Sequence, residues 1–270
     1  MADQLRGSTA LVTGGSRGIG AGIAEGLVRA GASVLIVSRT RGECEATARR
    51  LREFGPCEAL TADLSSQDGV RAVADEVQSR TGELHILVNN AGATWHAPIE
   101  EHDDAGLDAM WSLQVKAPVH LIRSLLPALR RGATPDDYAR VINVVSVDAI
   151  QASAGMNYAY AASKSALMYL TRHLARDLAV DHIAVNAIAP GAFRTSMIDY
   201  ILDDPTGTEE LLAEIPMRRV AEPIEMAGTV IYLASRASSY VTGEVLAVDG
   251  GYLSARPASQ RTRGVHPSGA

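Results

Sequence analysis

Short runs of consecutive apolar and β-branched residues alternate along this chain with longer stretches whose apolar positions recur every three or four residues. Residues 9–13 (TALVT) and 33–37 (SVLIV) are apolar at successive positions, which fits strands buried on both faces of a parallel sheet. Residues 18–30 between them carry a helical pattern. Further strands are expected at 57–60, 85–89, 140–145, 183–188 and 244–248, and helices at 42–53, 68–79, 104–130, 159–180 and 223–234. Strict alternation of strand and helix implies right-handed βαβ crossovers. The expected fold is therefore α/β, a single doubly wound parallel sheet with helices on both faces, spanning residues 1–253. Residues 254–270 (SARPASQRTRGVHPSGA) contain almost no large apolar residue and read as a flexible tail.

Composition narrows the function classes. Hydrophobic residues make up 47% of the 270 positions, enough for a substantial core. The net charge of −6 argues against a nucleic-acid partner. No apolar run approaches a membrane span, and the N-terminal MADQLRGSTA lacks the apolar segment of a signal peptide, so a cytoplasmic, membrane-free setting is expected. The two cysteines, Cys44 and Cys57, are too few for a disulfide scaffold and have no metal-ligand spacing, so no metal is expected.

The first expected strand runs into Thr13-Gly14-Gly15-Ser16-Arg17-Gly18-Ile19-Gly20, a glycine-rich turn opening a helix. Glycines let the backbone approach a pyrophosphate, and the helix start offers unpaired N–H groups at its positive end. Gly14, Ser16, Arg17, Gly18, Ile19 and Gly20 are thus candidate dinucleotide ligands in a Rossmann-type fold. The second strand ends at Ser38-Arg39, where an acidic residue would favour the ribose diol of NAD(H). Arg39, with Arg17 in reach, suits the 2′-phosphate of NADP(H), which is expected over NAD(H).

Tyr160 and Lys164 stand four apart in a helical stretch and share a face. A neighbouring ammonium is expected to stabilise tyrosinate and pull the phenol below its ordinary pKa near 10, poising it as a general acid. Tyr158 has alanine at position 162 and lacks such a cation. Ser146 follows an apolar strand, at the carboxyl edge where α/β ligands bind, and can hold a carbonyl oxygen as charge develops there.

The motifs 13–20 (TGGSRGIG), Asp63-Leu64, Asn89-Asn90-Ala91-Gly92, Ser146, Tyr160-x-x-x-Lys164, Asn186 and Pro190-Gly191 with Thr195 stand in the order found in the classical short-chain dehydrogenase/reductase family, which the chain resembles over essentially its whole body. Residues 125–146 (LLPALRRGATPDDYARVINVVS), Tyr158-Ala-Tyr160 and residues 188–191 are most similar to its NADPH-dependent 3-ketoacyl reductases of the rhamnolipid type. The resemblance implies hydride transfer between nicotinamide and a carbonyl, with Lys164 also holding the nicotinamide ribose. It implies Asp63 and Leu64 at the adenine, Asn89, Ala91 and Gly92 along the cofactor, and Pro190, Gly191 and Thr195 around the nicotinamide amide and pyrophosphate. It also implies subunit pairing through residues 103–130 and 159–180, as a homotetramer or homodimer.

Two features depart from the family pattern. Gln114 stands where the family commonly has a catalytic asparagine that helps hold a water linked to the lysine, and Ser146 and Tyr160 are fourteen apart, longer than usual. On the substrate side, Trp95 and His96 follow the Asn-Asn-Ala-Gly motif, either bordering the pocket or packed in a loop. Residues 196–217, with Met197 and Tyr200, resemble a mobile lid, though a helical core face explains the same apolar residues. The expected activity is reduction of a 3-oxoacyl-type or other apolar carbonyl compound to a secondary alcohol. The alternatives are an alcohol dehydrogenase working oxidatively and a dinucleotide-binding sensor impaired by Gln114.

Overall fold

The computed structural model describes residues 3–153 and 155–254. Seven parallel strands form one sheet in the order β3-β2-β1-β4-β5-β6-β7. They are β1 (Thr9–Thr13), β2 (Ser33–Ser38), β3 (Cys57–Thr61), β4 (Ile86–Asn89), β5 (Ala139–Val144), β6 (Ile183–Pro190) and β7 (Val245–Val248). Leu11 pairs with Leu35 and Leu87, and Leu87 with Val141. Side chains alternate across a strand, so these residues line one face of the sheet and Val12, Ile36, Val88 and Ile142 line the other. The first set packs with Val73, Leu121 and Leu125; the second packs with Ile23, Leu27 and Val230. Both faces are thus covered, as continuous apolar strands require.

Helices α1 (Gly18–Arg29), α2 (Arg41–Leu51) and α3 (Gln67–Arg80) connect the first four strands. The helix expected as continuous over 104–130 is three pieces: α4 (Asp104–Trp111), a π turn over Ser112–Lys116, and α5 (Ala117–Gly132). The N–H of Ala117 reaches back five residues to the Ser112 carbonyl, and Pro118 has no N–H to offer the carbonyl of Gln114. Helix α6 (Tyr158–Leu178) follows β5. Between β6 and β7 lie α7 (Asp199–Leu202), α8 (Pro205–Glu214) and α9 (Met226–Ala234). Neither α7 nor α8 buries any residue, so the core-face explanation of 196–217 gives way: only Ile215, just past α8, is buried there. Of the expected tail, only Ser254 lies among the described residues.

The chain order reverses between β1 and β4, and a crevice at the carboxyl edge beside such a switch point is where doubly wound sheets bind ligands. The loops after β1, β4, β5 and β6 all open there.

Candidate active site

The turn after β1 is built for close approach. Gly14 and Gly18 have φ of 64° and 52°, the left-handed region that glycine alone adopts without strain. A Cβ on Gly20 would lie 2.2 Å from the Gly14 carbonyl oxygen, so the turn closes only on hydrogen there. Arg17 caps α1 with extended backbone and no side-chain bond to the helix, leaving the first turn's N–H groups directed outward; its side chain is exposed. Ser16 anchors the turn from outside, its carbonyl accepting from the Thr47 hydroxyl at 2.7 Å. Thr195 reaches over from the loop after β6, its Cγ2 3.1 Å from where a Gly18 Cβ would stand. The structure therefore brings Ser16–Gly20 and Thr195 into one cradle.

Loop β1–α1 is clasped to the loop after β4 by Thr13 and Asn90, which the sequence alone did not mark as ligands. Thr13 Oγ1 accepts from the N–H groups of Asn90 and Ala91 at 2.9 and 3.0 Å, and Asn90 Nδ2 donates to the Thr13 carbonyl at 2.9 Å. The Asn89 side chain turns away from the cleft, donating at 2.8 Å to Asn143, which in turn donates to Thr171. What Asn89 can give a cofactor is therefore its backbone. Asn186 likewise ties β6 to the chain before β7, through the Val241 carbonyl and the Glu244 N–H.

At the end of β2, Ser38 is half-buried and Arg39 is exposed. Asp63 accepts from Ser65 N–H and Oγ, bonds that hold its carboxyl below the usual range, with the charge of Arg39 adding to the effect. Leu64 is buried in the sheet's second core. Pro190 ends β6, and a Cβ on Gly191 would meet the Asp249 backbone at 2.8 Å.

Past the cradle lie the chemical groups. Ser146 caps a 3-10 turn (Val147–Ala149), its Oγ accepting from the Asp148 N–H at 3.1 Å, which leaves its own proton free to point at Tyr160. Tyr160 and Lys164 project from α6 on one face, with the Lys164 Nζ 5.8 Å from the phenol ring centroid. Lys164 is only 4% exposed and donates at 2.8 Å to the Val144 carbonyl. Burial pushes its pKa down to about 8. Burial also pushes the phenol up, to about 12, against a downward pull from the Ser146 hydrogen bond and with a smaller upward push from Asp148. This corrects the expectation of a phenol lowered by its cation: the ammonium is turned to a backbone carbonyl, and desolvation outweighs it. Tyr160 accordingly keeps its proton at neutral pH.

Lysine occurs at only two positions, 116 and 164, among 25 basic residues. In a chain that otherwise uses arginine, a buried lysine marks a place where the guanidinium's fixed charge will not serve, because only an ammonium can have its pKa lowered this far. Gln114 is fully buried on the π turn. Its Nε2 donates to the Ala93 carbonyl at 3.1 Å, while Oε1 has no partner among the described residues. A Cβ on Gly92 would be 3.3 Å from that oxygen and 3.5 Å from the Lys164 Nζ, so both polar atoms flank the same small space above Gly92.

Of the substrate-side candidates, Trp95 stacks on His102 with ring centroids 4.1 Å apart and packs against Gly106, as a loop anchor. His96 is exposed and meets Tyr200 of α7 at 5.7 Å, while Met197 and Tyr200 are 38% and 60% exposed. The structure thus joins His96 to α7, while Trp95 packs on His102 instead.

A phenol held protonated beside a cleft shaped for a dinucleotide serves half of a reaction whose other half is a hydride; this arrangement defines a dinucleotide-dependent oxidoreductase. Residues 14–253 match the family described as enoyl-(acyl carrier protein) reductase, and the chain belongs to the short-chain dehydrogenase/reductase family. It is 47% identical over 248 residues to the rhamnolipids biosynthesis 3-oxoacyl-[acyl-carrier-protein] reductase of Pseudomonas aeruginosa, covering 92% of this chain and 97% of the relative. The solved RhlG/NADP active-site complex of Pseudomonas aeruginosa superposes with a TM-score of 0.90 at 46% identity, covering 93% and 99% of the two chains. Gluconate 5-dehydrogenase of Gluconobacter oxydans is 35% identical, over 92% of this chain and 95% of its own.

Proposed function

We propose that this chain reduces a ketone to a secondary alcohol with NADPH, with Tyr160 as proton donor. The single observation that carries the residue assignment is geometric: Tyr160 and Lys164 leave one face of α6, with the Lys164 Nζ 5.8 Å from the phenol ring centroid, beside the turn that Ser146 caps. The cleft suits a dinucleotide: Gly14, Gly18 and Gly20 leave room for a pyrophosphate at the α1 N-terminus, Thr195 closes over it, and Gly92, with no side chain of its own, lies beside Lys164. Arg39 and Arg17 would meet a 2′-phosphate, as the cofactor in the related RhlG complex requires. When bound, NADPH supplies the hydride.

The chain's own residues do the rest. Ser146 donates to the substrate oxygen and Tyr160 gives it a proton as negative charge builds there. Lys164, with its pKa near 8, stabilises the tyrosinate left behind and can pass on a proton, with Gln114 Oε1 on the far side of the same space. The intact Ser146–Tyr160–Lys164 set favours an enzyme over a sensor. An apolar carbonyl substrate of the 3-oxoacyl type is supported by the relatives' names and by Met197 and Tyr200 on the lid. Exposed Leu107, Trp111 and Tyr169 on α4 and α6 support a homo-oligomer, a tetramer or a dimer. The free, buried Cys44 and Cys57 favour a cytoplasmic setting.

The experiment is an assay of NADPH oxidation at 340 nm with a panel of 3-oxo esters and thioesters, run in parallel with NADH. Ketone-dependent oxidation with NADPH preferred is expected. NADPH binding without turnover of any ketone would favour the sensor.

A further inference from the structure

The carbonyl side of the cleft carries a negative charge that ketone reduction does not need. Asp148 sits in the 3-10 turn capped by Ser146, and its N–H is bonded to the Ser146 oxygen, so its carboxylate hangs from the same turn as the hydroxyl facing Tyr160. One carboxylate oxygen accepts from Asn157 Nδ2 at 2.8 Å. A Cβ on Gly155 would stand 3.9 Å from that Nδ2 and 3.7 Å from His96 Cδ2, which puts His96 at the same corner. His96 leads to Tyr200 on the lid. Three phenols feel the carboxylate. Burial raises Tyr160, Tyr200 and Tyr252 first, and Asp148 adds to each, behind Glu214 in the case of Tyr252. Those phenols come from α6, α7 and the 3-10 turn Tyr252–Ser254, so Asp148 is felt from three separate elements around the cleft.

We propose that Asp148 sets the charge selectivity of the substrate pocket: it admits ketones whose adjoining group is neutral or cationic, such as esters, thioesters, amides and ammonium compounds, and rejects free keto acids. The inference rests on the reading that the ketone binds between Ser146 and Tyr160. A carboxylate two or three bonds from that ketone would lie close to the Asp148 charge, and like charges repel. An amide N–H, hydroxyl or ammonium at the same place would instead donate to the carboxylate. The 3-oxoacyl group named for the relative from Pseudomonas aeruginosa is neutral beside its ketone.

The test compares kcat/KM at saturating NADPH for acetoacetate, its ethyl ester, and an acetoacetamide ending in an ammonium group. Acetoacetate is expected at least tenfold below the ester, chiefly through KM, and the ammonium compound at or above it. Raising NaCl from about 20 to 500 mM should narrow the spread, because salt screens charge interactions. Asp148→Asn should raise acetoacetate relative to the ester at least fivefold, while Asp148→Glu keeps the order. A wild-type enzyme that reduces acetoacetate as well as the ester, or an acetoacetate-to-ester ratio unchanged in a folded Asp148→Asn, would overturn the proposal. Should Asp148→Asn not fold, the salt series on the wild type and the Asp148→Glu order decide it. Failure to reduce any of the three would instead sink the underlying reading of the activity.

Discussion

The two ends of the cleft are made differently. The phosphate cradle is over-determined: Thr13 and Asn90 bolt two loops together, and glycines stand where even a methyl group would collide with backbone. At the other end α7 and α8 have no buried residue and Tyr200 is 60% exposed. A rigid cradle suits a ligand common to many reactions, and a loosely packed segment suits one that varies. The relatives fit this division, since reductases of 3-oxoacyl groups and dehydrogenases of gluconate align over more than nine-tenths of the chain.

That contrast can be broken by substitutions at each end. Gly20→Ala should do most damage. Its methyl group would collide with the Gly14 carbonyl, so a loss of about 3 kcal/mol in stability is expected in urea unfolding, with weaker NADPH binding by fluorescence titration. Lys164 comes next. Its folded pKa near 8 lies below the unfolded 10.5, so the unfolded chain binds more protons between those values and folding gains as pH rises through that window, by up to about 3 kcal/mol. Lys164→Met removes this dependence, so its stability advantage over the wild type at pH 7 should shrink by pH 10.5; a constant difference would refute the buried ammonium. Arg39→Asp should shift the NADPH/NADH preference at least tenfold toward NADH, read from the ratio of kcat/KM values. Tyr200→Ala on the lid should change stability by less than about 0.5 kcal/mol while raising KM. A lid substitution as destabilising as Gly20→Ala would erase the distinction.

The sheet was legible because its inner strands are buried and predominantly apolar, and every strand lies within two residues of its expected span. The glycine turn and the Tyr160–Lys164 spacing were legible for similar reasons: they are local. What escaped is tertiary. The break at Ser112–Lys116 interrupts an apolar pattern that reads as one helix, and only Pro118 hints at it. The inward turn of Asn89 depends on Asn143, far along the chain. Burial raises the phenol of Tyr160, and spacing carries no information about burial. Helices α7 and α8 carry apolar residues without burying them, which periodicity does not reveal.

Tyr160 is proposed to donate the proton and to contribute little to holding the cofactor. Stopped-flow NADPH oxidation by Tyr160→Phe, with NADPH affinity measured on the same sample, separates these two roles. A dissociation constant within about threefold of wild type and a reduction rate at least a hundredfold lower are expected. Wild-type turnover by the phenylalanine variant would contradict the proton-donor role.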